Sequence, residues 1–150
     1  MNTARCFIAL IFLATGAGSV AWPETEMIVW LIDNDEALDA ARAADRPVFI
    51  IFTGSDWNVW CERMEDEILS TPQFADFAGE NLILLKVDFP KSIELPEARV
   101  KKNRKLQRKY GISGYPTVVV TDSDGIVLGR LVYMNGGPEP FLGALTKLIE

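Results

Sequence analysis

Val48-Phe49-Ile50-Ile51-Phe52 restricts the possible folds of this chain more than any other segment. Five consecutive apolar residues, three of them β-branched, make a run of strand length with no polar face. A strand of that kind needs cover on both sides, which a chain of moderate length supplies with helices on both faces of a sheet. Arg46-Pro47 stops what precedes it, and Thr53-Gly54-Ser55-Asp56 turns the chain out of it. At 150 residues, 49% of them apolar, the chain has the makings of one ordinary globular domain.

The rest of the chain alternates in the same sense. Met27–Ile32 reads as a short strand, and Asp33 or Asn34 caps a helix over Asp35–Asp45 whose Ala37, Leu38 and Ala41 share a face. A helix from about Asn58 to Leu69 carries Cys61, Met64 and Ile68 at spacings of three and four. Thr71-Pro72 is a cap followed by proline at the first helical position, opening a short helix that ends at Gly79. Leu82–Val87 is a second buried strand. Glu94–Tyr110 is a basic helix stopped by Gly111. Thr117–Thr121, the Asp122–Gly125 turn and Ile126–Tyr133 form a hairpin, and Glu139–Ile149 a last helix. The order βα-βα-αβ-αββα predicts an α/β fold with a mixed central sheet and helices on both faces.

Residues 1–21 read as an address. Arg5 is followed by the apolar run Phe7–Ala14, then by small residues ending in Ser19-Val20-Ala21, the pattern of a signal peptide cleaved after Ala21. The run is too short to span a bilayer core of about 30 Å, so no stable membrane insertion is expected once the signal is removed. The expectation is a signal peptide, 1–21, and one exported domain, 22–150. Cleavage would remove Cys6 and leave Cys61 as the sole thiol in an oxidising compartment.

Charge and composition exclude several chemistries. With 15 Lys and Arg against 21 Asp and Glu the net charge is −6, the wrong sign for nonspecific binding of nucleic acid. The absence of histidine removes the commonest general base and zinc ligand. The Asp122-Ser123-Asp124-Gly125 turn lacks the remaining ligands of a calcium loop, so no metal and no cofactor is expected. Seven bases and no acid lie between Arg99 and Lys109; the reading is a solvated helix face, with its late positive charges favoured by the helix dipole.

The motif that carries chemistry is Phe52-Thr53-Gly54-Ser55-Asp56-Trp57-Asn58-Val59-Trp60-Cys61, joined further on by Gly114-Tyr115-Pro116-Thr117. A buried strand, a turn and a helix opening on this phrase resemble the thioredoxin superfamily. The likeness is nearest to exported bacterial thioredoxin-like proteins with a phrase of the form FTGSDWCxWC, and it covers essentially the whole chain after residue 21. It implies a thioredoxin-like fold, a periplasmic or extracellular location, protein or peptide substrates, and a cis Tyr115–Pro116 bond. It also implies a nucleophilic cysteine at position 58 and a resolving one at position 61.

Here position 58 is asparagine, which forms no thiolate and attacks no disulfide. Asparagine is nevertheless among the best N-caps, so the helix start is preserved. The strand Val48–Phe52 also lacks the buried acid that thioredoxin-like oxidoreductases commonly carry there. Two readings follow. In one, Cys61 is the catalytic residue, a monothiol of thiol–disulfide exchange. In the other, Cys61 is buried and inert, and Trp57, Asn58, Trp60, Tyr115 and Pro116 form a peptide- or partner-binding surface in a non-catalytic domain.

Overall fold

The computed structural model describes residues 28–150, so the signal-peptide reading of residues 1–21 lies outside them. Its elements are β1 (Trp30–Leu31), α1 (Asn34–Ala44), β2 (Val48–Thr53), α2 (Val59–Met64), α3 (Pro72–Asn81), β3 (Ile83–Asp88), α4 (Glu97–Lys109), β4 (Thr117–Thr121), β5 (Val127–Leu131) and α5 (Pro138–Ile149). The five strands form one sheet in the order β1-β3-β2-β4-β5. Strands β1, β3 and β2 are parallel, β4 is antiparallel to β2, and β5 is antiparallel to β4.

The apolar run behaves as its composition demands. Every residue of β2 is buried, and its side chains alternate between two cores. Phe49 and Ile51 join Met64, Ile68, Phe74, Val118, Val120, Phe141 and Leu145 under α2, α3 and α5. Val48, Ile50 and Phe52 join Ala37, Ala41, Leu85, Val87, Leu106, Tyr110 and Val119 under α1 and α4. No acid stands among them, so neither core contains a buried carboxylate to be desolvated.

Boundaries differ from the sequence expectation where pairing or proline decides them. Among the described residues the expected strand over Met27–Ile32 is confined to Trp30–Leu31, the two that pair with β3. Val29 and Ile32 are left exposed. The basic helix starts at Glu97 rather than Glu94, because Pro96 sits at its N-cap and proline disfavours helical backbone in the residue before it. The helix expected from Asn58 to Leu69 is α-helical only to Met64 and continues as a π-helical turn over Glu65–Leu69. The wider turn closes with the Ser70 amide on the Glu65 carbonyl and buries the adjacent pair Ile68 and Leu69.

Candidate functional site

The site lies where β2 ends and α2 begins, at the centre of the sheet. Asn58 is the N-cap, with extended backbone. Its Oδ1 accepts the amides of Trp60 (3.0 Å) and Cys61 (3.4 Å). That leaves its Nδ2 free to donate to the Tyr115 carbonyl at 3.2 Å, on the loop leading into β4. One side chain therefore ties the helix start to the segment Tyr115–Pro116, whose peptide bond is cis.

Cys61 lies one turn inward and is 4% exposed. Its Sγ accepts the Gly54 amide at 3.4 Å, and it is a free thiol. Trp57 packs flat on Gly54: a Cβ there would fall 2.5 Å from the ring. The indole is pinned from outside as well. Its Nε1 donates to the Phe89 carbonyl at 2.8 Å, and the Lys91 ammonium lies 3.7 Å above its centroid. The loop carrying Lys91 is itself held, because the Asp56 carboxylate accepts the Lys91 and Ser92 amides, which lowers its pKa.

Outward from Asn58 the surface is open. Trp60 is 50% exposed and packs on Tyr133, with ring centroids 5.6 Å apart. The Arg63 guanidinium lies 5.4 Å from the Trp60 ring and 4.9 Å from the Tyr133 ring. Glu67 holds it there through Oε1 at 2.7 Å and also accepts the Tyr133 hydroxyl. The Arg63 hydrogen bond, followed by that of Tyr133, lowers the pKa of Glu67. Trp60, Tyr115, Pro116, Val132, Tyr133 and Asn135 are among the residues that line a shallow groove of about 540 Å³ with no charged side chain in its wall. Tyr115 stacks on Phe89 and accepts from Gln107 at its hydroxyl; burial raises its pKa.

The structure thus brings together all six residues singled out in the sequence: Trp57, Asn58, Trp60, Cys61, Tyr115 and Pro116. It adds Arg63, Glu67, Tyr133 and Asn135, which sequence reasoning missed. Only the i,i+4 pairing of Arg63 with Glu67 left a trace there.

A family model described as a thioredoxin-like domain matches residues 34–147. The chain belongs to the thioredoxin-like family. Among curated proteins, the disulfide bond reductase DsbH of Chlamydia pneumoniae is 35% identical over 77% of this chain and 69% of its own length. The thioredoxin-related protein DsbJ of the same organism is 30% identical over 99% of this chain, which spans 46% of DsbJ. Among solved structures, a DsbH oxidoreductase superposes with a TM-score of 0.77 at 34% identity, covering 81% of this chain and 83% of that one. A thioredoxin from Thermus thermophilus, at 24% identity and a TM-score of 0.59 over 81% and 88%, shares the fold. The thioredoxin-like chain described here is therefore a homologue of the Dsb proteins, with asparagine where the family resemblance implies the attacking cysteine.

Proposed function

We propose that this chain is an exported thioredoxin-family protein that has lost dithiol exchange and uses the surface around Asn58 to bind a peptide or partner protein. The observation that carries the proposal is the pairing of two facts at the helix start. Position 58 offers a carboxamide, and the sulfur of Cys61 is buried behind it with an amide on it. Thiol–disulfide exchange needs a thiolate that reaches the substrate sulfur. A side chain only 4% exposed lacks that access.

The homology to a disulfide bond reductase, DsbH, and a thioredoxin-related protein, DsbJ, supports descent from a redox family. The open aromatic groove supports binding. Thioredoxin-fold partners are expected to be extended protein segments, which dock by main-chain and side-chain contacts on a sheet-and-loop surface. Export rests on residues 1–21, and N-terminal sequencing of the secreted chain tests it: a mature start at Trp22 is expected, and an intact Met1 contradicts it.

Dithiothreitol-driven insulin reduction tests the loss of exchange. The native chain is expected to be silent, and Asn58→Cys to gain turnover that Cys61→Ser removes again. Native activity abolished by Cys61→Ser alone would mean a working monothiol and would overturn the proposal.

A further inference from the structure

We infer that α4 carries a docking surface of its own, a ridge of four cations that fits an acidic segment of a partner protein. It uses none of the residues of the Asn58 site and goes beyond the reading above. Helix α4 holds seven of the chain's 15 bases and one of its 21 acids, Glu97. Its Asn103 and Leu106, with Tyr110 at its end, are buried against the sheet. Three of the bases are engaged within the fold. Arg99 donates to the Ile32 carbonyl at 2.8 Å, Lys102 pairs with Asp33, and Lys109 lies 4.9 Å from the centre of the Tyr110 ring.

The other four are Lys101, Arg104, Lys105 and Arg108. All are exposed, and among the described residues none takes part in an ion pair, a side-chain hydrogen bond or a cation–π contact. Their spacing of i, i+3, i+4 and i+7 sets them in one ridge along the outer face of the helix. Lys105 is the extreme case. The residues three and four places before and after it are Lys102, Lys101, Arg108 and Lys109, every one a base. Like charges at these spacings destabilise a helix. The helix dipole favours cations in the last turn, which accounts for Arg108 and Lys109 but not for Lys101, Arg104 or Lys105. A repulsion that nothing inside the fold offsets is relieved by carboxylates brought from outside.

The surroundings of the ridge select the shape of that partner. On one flank Glu94 and Glu97 share a hollow with Arg104, and on the other Asp33 and Asp35 share one with Lys105. A broad anionic surface covering the ridge would press these carboxylates against its own charges, as would the bulk of a second chain of net charge −6. A single segment lying along the ridge meets the cations and leaves both flanks in water. Lys101 and Lys105, like Arg104 and Arg108, are separated by about 6 Å along the helix axis. Side chains on one side of an extended segment recur about every 7 Å, which long lysine and arginine side chains can match. The partner segment is therefore one with carboxylates at alternate positions.

The test uses the full chain at low ionic strength and a blocked peptide with glutamate at every second position and serine between, read from the backbone amide resonances of α4. A peptide with glutamine in place of glutamate is the control. The glutamate peptide is expected to shift the Lys101–Arg108 amides. Its affinity should fall steeply between about 0.01 and about 0.1 M salt, as the screening length shortens from about 30 to about 10 Å. Lys101→Gln, Arg104→Gln and Lys105→Gln together should weaken it about tenfold, the combined worth of three exposed ion pairs. Lys147→Gln, an exposed cation on α5, should leave it unchanged. Lys105→Gln alone should not lower thermal stability, because it removes repulsions and no pairing.

No binding of the glutamate peptide, equal binding of the glutamine peptide, or equal weakening by Lys147→Gln would overturn the inference. A clear loss of thermal stability in Lys105→Gln would overturn it too, since the charge would then serve the fold. If the peptide fails and the triple variant instead abolishes binding to phosphatidylglycerol vesicles, or concentration-dependent self-association, the ridge faces a lipid surface or a second copy and the inference falls.

Discussion

The two sides of Asn58 differ in how completely their polar and apolar groups are satisfied. Inward, Cys61 is buried with the Gly54 amide on its sulfur, and Trp57, though 39% exposed, is held against Gly54 by a carbonyl and an ammonium. Outward, Trp60 and Tyr133 border a groove with half an indole uncovered. A redox site needs its reactive atom on the open side; here the open side has aromatic faces and the closed side has the sulfur. The difference teaches that one helix start can hold its sulfur closed and its aromatic surface open, because Asn58 stands between the two.

The comparison breaks most severely at Gly54. Gly54→Ala places a methyl group 2.5 Å from an indole pinned by Phe89 and Lys91, so the ring or the turn must shift. A loss of about 1–3 kcal/mol is expected, with Trp57 and Cys61 both more exposed, read by denaturant unfolding and Trp57 fluorescence. A smaller effect is expected at the boundary residue. Asn58→Ala should cost about 1 kcal/mol through the lost cap, and Asn58→Asp less, because it still accepts the helix amides. Equal losses in the two variants would mean that capping is not what Asn58 contributes to stability.

Much of this arrangement was legible beforehand, and the limits have physical causes. The run Val48–Phe52 announced a doubly covered strand because no alternation offers it a wet face. Asn58 declared itself an N-cap by residue type and position, and Gly111 a helix stop, which its positive φ of 59° bears out. The second bond of Asn58, to Tyr115, was not legible, since 57 residues separate the partners and only sheet topology joins them. The link from Tyr133 to Glu67 was hidden for the same reason, with 66 residues between them, although Arg63 and Glu67 stand at helical spacing. The π turn was hidden because Cys61, Met64 and Ile68 keep helical spacing whether or not one extra residue is accommodated after them.

The gentlest perturbation acts on the open side alone. Arg63 and Tyr133 hold the Glu67 carboxyl below its ordinary value of 4.5. A carboxyl with a depressed folded value contributes stability that is fully present above the ordinary value and is lost as the pH falls through the folded one. Acidification below about pH 4.5 should therefore loosen Trp60 from Tyr133 before the protein unfolds, seen as a change in Trp60 fluorescence. Glu67→Gln should abolish that step; a step that survives the substitution must come from another acid.

The central claim is that the sulfur has been closed off, and its accessibility is the direct measure. In a Cys6→Ser background, the rate at which dithionitrobenzoate modifies Cys61 can be compared in the folded and the denatured chain. The structure predicts strong protection in the folded chain, reduced by Gly54→Ala, which displaces the turn whose amide lies on the sulfur. Modification of the folded native chain at the denatured rate would contradict the account and return Cys61 to the position of a working thiol.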